Sequence, residues 1–137
     1  MAGEGVSMAG ILVVDDEKSI RMLFNYVLSE AGYTVKEAEN GVQALAVLGS
    51  FIPDAILLDI AMPEMRGPEF AANLRRLALR RPELAGIPYL VMTGEDYLSQ
   101  GPDLGFEKDK GFKGYIPKMT PPEEVLARVG EVLKNRR

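Results

Sequence analysis

The 137-residue chain contains no cysteine and no histidine. Without cysteine there is no disulfide, no thiolate metal site and no thiol oxidation to regulate it. Without histidine, a phosphohistidine, a Ser-His-Asp triad and the common zinc sites are excluded together. Chemistry is left to carboxylates, hydroxyls, lysine and a hard cation. No apolar run approaches the roughly 20 residues needed to cross a bilayer. Residues 1–9 are Gly-rich, with Glu4 as their only charged side chain. They match no signal peptide and read as a flexible N-terminal tail, followed by one domain over residues 10–137. The net charge of −4 disfavours direct nucleic-acid binding and attraction to anionic membranes. A cytoplasmic location is the default expectation.

What the sequence does have is an alternation of short apolar runs with amphipathic stretches. Ile11-Leu-Val-Val14 is β-branched and ends in Asp15-Asp16. Ile20, Leu23, Phe24, Val27, Leu28 and Ala31 follow at helical spacing, with Gly32 as a C-terminal stop. Tyr33 to Ala38 predicts a weaker strand, and Asn40 is placed to cap a short helix through Leu48. Ala55 to Leu58 is again wholly apolar and ends in Asp59. Phe70, Leu74, Leu77 and Ala78 mark a helix that closes before Pro82. Tyr89 to Met92 ends at Thr93, and Tyr115-Ile116 forms a short last strand ending near Lys118. Thr120-Pro-Pro-Glu123 reads as a capping box opening a helix whose stripe is Val125, Leu126, Val129, Val132 and Leu133.

Five strands alternating with five helical or quasi-helical segments predict an α/β fold, a doubly wound five-stranded parallel sheet with helices on both faces. Strands apolar on both sides suit a sheet covered twice. In such sheets ligands bind outside the carboxyl ends of the strands. Asp15, Asp16, Asp59, Thr93 and Lys118 are all at or near strand ends, so they converge on one edge. Two carboxylates about 4 Å apart repel by roughly 4 kcal/mol at a typical effective dielectric. Such a group either takes up protons or binds a cation, and an all-oxygen site with open positions suits Mg²⁺. An aspartate at a strand end can attack phosphorus and form an acyl phosphate. A metal and a lysine neutralise phosphoryl oxygens, and a threonine hydroxyl can hydrogen-bond another.

Taken singly, each residue has a structural explanation. Asp15, Asp16 and Glu17 suit a helix N-terminus, Asp59 suits a loop cap, Lys118 a solvated surface and Tyr115 plain packing. Arg75, Arg76, Arg80 and Arg81 read as a solvated helix face rather than a nucleic-acid patch, because Glu69 and Glu83 flank them. Met62 and Met65 read as gap-filling residues. What the separate explanations leave out is the coincidence of the right group at every strand end.

The chain resembles the receiver domain of two-component response regulators. The resemblance rests on Ile11-Leu-Val-Val-Asp-Asp-Glu17, Leu57-Leu-Asp-Ile-Ala-Met-Pro-Glu-Met-Arg-Gly67, Val91-Met-Thr93 and Gly114-Tyr-Ile-Pro-Lys118, in that order from about Gly10 to the C-terminus. It implies a flavodoxin-like fold with Asp59 as phosphoacceptor and Mg²⁺ as cofactor. Asp16 would bind the metal directly, Asp15 through water, and Asp59 and the backbone carbonyl of Ala61 would complete its protein ligands. Thr93 would be the switching hydroxyl, Lys118 the phosphate-pairing cation and Tyr115 the switch aromatic. The phosphoryl donor would be a sensor histidine kinase or a histidine phosphotransfer protein. The output would be binding of a downstream protein or onward relay of the phosphoryl group, without an attached effector; unphosphorylated, the domain is expected to be a monomer or weak dimer.

Two departures stand out. Met119 follows Lys118 where the family carries proline, and a cis bond there would cost about 3 kcal/mol, so a trans bond is expected. Between Thr93 and Tyr115, Gly94, Gly101, Pro102, Gly105 and Gly111 predict an irregular and mobile fourth helix. Two other functions fit parts of the pattern. One is a phosphate-independent pseudo-receiver that signals by binding alone. The other is an Mg²⁺-dependent aspartyl phosphatase, which Ala61 opposes by standing where such enzymes place a general acid.

Overall fold

A computed structural model describes residues 9–60, 65, 67–94, 106 and 109–135. The elements run β1 (Gly10–Val14), α1 (Lys18–Glu30), β2 (Thr34–Ala38), α2 (Gly41–Val47), β3 (Ala55–Asp59), α3 (Gly67–Ala78), a 3-10 turn (Pro82–Leu84), β4 (Tyr89–Thr93), β5 (Phe112–Pro117) and α4 (Pro122–Lys134). All strand pairings are parallel, in the order β2-β1-β3-β4-β5. The expected doubly wound fold is present. Residues 1–8 of the N-terminal tail, Ala61, Met62 and most of the fourth-helix segment, residues 95–105 and 107–108, lie outside the described residues.

Strand periodicity builds two cores. Leu12, Val14, Ile56, Leu58, Tyr89 and Val91 face α2 and α3, where Ala44, Leu48, Phe70, Ala71 and Leu74 cover them. The alternate residues Ile11, Val13, Ala55, Leu57, Leu90 and Met92 face α1 and α4, where Phe24, Leu28, Val125, Val129 and Val132 cover them. The three central strands are buried along their whole length, whereas β2 and β5 alternate, as edges with one solvated side do. This explains why their sequence patterns are weaker.

Several local expectations hold. Asn40 caps α2, accepting the Gln43 N–H at 2.8 Å. Gly32, just past α1, adopts φ +100°, a left-handed conformation that costs glycine little. Others need correction. Leu23 is 44% exposed, because the buried face of α1 is centred on Phe24 and Leu28. β5 begins at Phe112, three residues before the expected Tyr115. The Thr120 capping box does not form. Pro121 is the N-cap of α4 and makes no side-chain cap, Pro122 takes the first helical position, and Glu123 and Glu124 face the positive end of the helix dipole. The Lys118–Met119 bond is trans, and Met119 is exposed.

Candidate functional site

Parallel pairing sets the carboxyl ends of β1, β3, β4 and β5 side by side. Asp59 ends β3 opposite Met92, and Thr93 ends β4 opposite Pro117. Asp15 follows β1 directly, its N–H bonded to the Ala38 carbonyl at the end of β2. Lys118 follows β5, and its N–H donates to the Thr93 carbonyl at 2.9 Å. The backbone of β4 therefore aims the lysine.

Lys118 Nζ lies 3.1 Å from Asp59 Oδ2, 3.4 Å from Asp15 Oδ2 and 2.8 Å from Glu17 Oε1. Asp15, Asp59 and Thr93 are buried, whereas Asp16 and Glu17 are exposed. The carboxylates of Asp15, Asp16 and Glu17 lie within 4.8 Å of one another. The structure thus brings together Asp15, Asp59 and Lys118, sets Asp16 at the rim and places the Thr93 backbone beside them. Ala61 lies outside the described residues.

The charges explain the titration of the site. Burial is the largest influence on Asp15 and raises its pKa above 3.8, while the Glu17 N–H bonded to Asp15 Oδ1 at 2.8 Å and the Lys118 charge oppose the rise. For Lys118, burial works toward a lower pKa. The hydrogen bond to Glu17 and the charges of Asp59 and Asp15 outweigh it, and the ammonium is held above its ordinary range.

Among the described residues, two buried side-chain polar atoms have no hydrogen-bond partner: Asp15 Oδ2, which has the 3.4 Å ion pair to Lys118, and Thr93 Oγ1. Leaving such groups unpaired costs about 1–3 kcal/mol each, and most buried polar groups in folded proteins are paired. Both atoms lie at the same edge of the sheet, where Asp15 follows β1 and Thr93 ends β4. A cation beside Asp15 and an anionic oxygen beside Thr93 would satisfy them.

Tyr115 is half-buried in β5, in an aromatic cluster with Phe106 and Phe112, at centroid distances of 6.3 and 5.0 Å. Arg128 donates to its carbonyl at 3.3 Å. Sequence reasoning missed Glu17 as a member of the site. Its position next to Asp15-Asp16 was the available signal, but its partner Lys118 lies 101 residues away.

Residues 11–130 match the response regulator receiver domain family. The chain belongs to that family. It is 39% identical over 124 residues to the response regulator MprA of Mycobacterium ulcerans, an alignment that covers 90% of this chain and 50% of that protein. The chain therefore spans about half the length of the curated relatives it matches. Among solved structures, the chemotaxis response regulator CheY4 of Vibrio cholerae superposes with a TM-score of 0.77 at 33% identity, covering 91% of this chain and 98% of that one. The receiver domain of a signal transduction histidine kinase from Syntrophus aciditrophicus superposes with a TM-score of 0.76 at 28% identity, covering 92% and 90%. Receiver domains act in two-component systems, which signal by phosphorylation and pair a regulator with a histidine kinase; they are non-catalytic apart from their own phosphorylation chemistry. They bind Mg²⁺. Among the described residues, no helix of this receiver domain is long and apolar enough to cross a membrane.

Proposed function

We propose that this receiver domain is a switch set by Mg²⁺-dependent phosphorylation of Asp59. The observation that carries the reading is the placement of Lys118 Nζ between Asp59 and Asp15, 3.1 and 3.4 Å away, with the buried Thr93 hydroxyl unpartnered at the neighbouring strand end. One carboxylate oxygen of Asp59 forms a bond to phosphorus as the bond from phosphorus to a phosphohistidine nitrogen breaks. The electron pair remains on the imidazole of the donor, a sensor histidine kinase or a phosphotransfer protein. Lys118 pairs with one phosphoryl oxygen, and the Thr93 hydroxyl donates to another.

The donor set fits a hard divalent cation, with all-oxygen ligands and a buried carboxylate oxygen that makes no hydrogen bond. Asp15, Asp16, Asp59 and the backbone carbonyl of Ala61 are the ligands assigned to Mg²⁺. When bound, the ion would neutralise charge on the transferring phosphoryl group. As Thr93 engages the phosphoryl group, the ring of Tyr115 in the neighbouring strand repositions. The surface from Thr93 to Tyr115 then changes for a downstream protein or a phosphorelay partner. In the unphosphorylated state the domain is a monomer or weak dimer.

The test is intact mass after incubation with Mg²⁺ and acetyl phosphate. There the new bond to phosphorus replaces the one to acetate, which leaves with the electron pair. A single phosphoryl adduct, labile to alkali and absent with EDTA or in Asp59→Ala, supports the reading. If no adduct forms and Mg²⁺-beryllofluoride does not bind, the reading moves to phosphate-independent binding by the same fold.

A further inference from the structure

The contact between Glu17 and Lys118 has no place in the phosphorylation chemistry described above, yet it is the shortest ion pair that Lys118 makes among the described residues, at 2.8 Å. An ammonium has three N–H donors. Lys118 Nζ donates to Glu17 Oε1 at 2.8 Å and Asp59 Oδ2 at 3.1 Å, and Asp15 Oδ2 stands 3.4 Å away as an ion pair without a hydrogen bond. A phosphoryl oxygen that pairs with Lys118 therefore competes for an ammonium already held by two hydrogen-bonded carboxylates.

The three carboxylates differ in how easily they are released. Asp15 is fully buried and fixed through Oδ1 by the Glu17 N–H. Asp59 is the group that becomes the acyl phosphate, so it stays at the site. Glu17 is on the rim, with its side chain 54% exposed, and water can solvate it as soon as it is released. It is the N-cap residue of α1 but makes no side-chain cap, so its carboxylate is not tied to its own helix.

We propose that Glu17 is a latch on Lys118, holding the ammonium in the resting domain and competing with the phosphoryl group for it. This rests on the reading of Asp59 as phosphoacceptor. Glu17 is a positioning residue, because it acts through Lys118 and touches neither the phosphoryl group nor its donor. The latch sets how strongly the domain resists activation, and substitutions at position 17 tune it without changing the acceptor.

The test is beryllofluoride affinity at saturating Mg²⁺, followed by the Thr93 and Lys118 amide resonances in the natural chain, Glu17→Gln and Glu17→Asp. Removing competition from a half-exposed ion pair is worth about a two- to five-fold gain in affinity. Glu17→Gln is expected to bind that much more tightly. Glu17→Asp keeps the charge but is too short to hold the 2.8 Å contact, so it should also bind more tightly than the natural chain. Equal or weaker binding by Glu17→Gln overturns the latch. Tighter binding by Glu17→Gln with no change in Glu17→Asp also overturns it, since the effect is then one of net charge and not of contact. Absence of beryllofluoride binding in the natural chain itself overturns the phosphoacceptor reading instead.

Discussion

Lys118 Nζ lies 3.1 Å from Asp59 Oδ2, although 59 residues separate the two. β3 and β5 are not neighbours in the sheet; β4 lies between them. The pair meets across the end of β4, where the Lys118 N–H bonds the Thr93 carbonyl. An acid and a cation from non-adjacent strands thus face each other over a third residue with an unpartnered hydroxyl.

Lys118→Ala tests the cation. Asp15 and Asp59 are both buried, and removing one partner of a buried charge group costs on the order of 3–5 kcal/mol. The substitution is expected to lower the urea midpoint markedly at pH 7, with added Mg²⁺ recovering part of the loss. An unfolding free energy within about 0.5 kcal/mol of the natural chain, the size of a neutral surface change, would show that Lys118 does not compensate these acids.

The Asp15 carboxylate has the opposite sign of effect. Its folded pKa is raised by burial, so the unfolded chain holds the charged form more readily. Its contribution is most favourable below the unfolded pKa and is lost as pH rises through the folded value. Asp15→Asn is expected to raise the melting temperature at pH 7 while weakening Mg²⁺ binding. A lower melting temperature would mean that the Lys118 and Glu17 contacts outweigh the burial of the charge.

At alkaline pH two groups act together. Lys118 has its folded pKa raised above 10.5, so the stability it gives is present below that value and lost as pH rises through the folded one. Tyr89, buried and bonded through its hydroxyl to Asp109 at 2.8 Å, is held neutral well above its ordinary value of 10.0. The unfolded chain ionises this tyrosine first, which also lowers stability as pH rises. Melting temperature should fall from about pH 10, and less steeply in Tyr89→Phe. An identical slope in that variant would remove Tyr89 from the account.

Thr93→Val separates resting packing from switching. The hydroxyl is buried and unpartnered, so a methyl in its place should leave resting stability unchanged or raise it by up to about 1 kcal/mol. Beryllofluoride should still bind, more weakly, without the amide shifts at Tyr115 that the natural chain shows. A clear loss of resting stability would reveal a partner for the hydroxyl.

Gly41→Ala tests the packing between the start of α2 and Met65. A Cβ there would lie 2.8 Å from Met65 Cβ, Cγ and Sδ, and overpacking of this kind costs about 1–3 kcal/mol. Met65→Ala in the same chain should recover part of the loss. Additive losses would show that Met65 is not the obstacle.

The fold was legible because three central strands are apolar on both sides, and such runs have one natural home, a sheet covered twice. From there the strand-end rule carried Asp15, Asp59, Thr93 and Lys118 to one edge. Glu17 was not legible as part of the site, because an acid at a helix start looks the same whether it faces water or a lysine 101 residues away. β5 was read too short because an edge strand with Lys113 and Gly114 carries little apolar signal. The Thr120 box failed for a related reason: two prolines follow the threonine, and the helix starts one residue later than the motif requires.

The central claim is that Asp59, and no other carboxylate, takes the phosphoryl group. Borohydride reduction of the Mg²⁺- and acetyl phosphate-treated protein converts an aspartyl phosphate to homoserine, which tandem mass spectrometry locates in sequence. Homoserine at position 59 alone is the predicted result. Homoserine at position 15, 16 or 54 with Asp59 intact would contradict it.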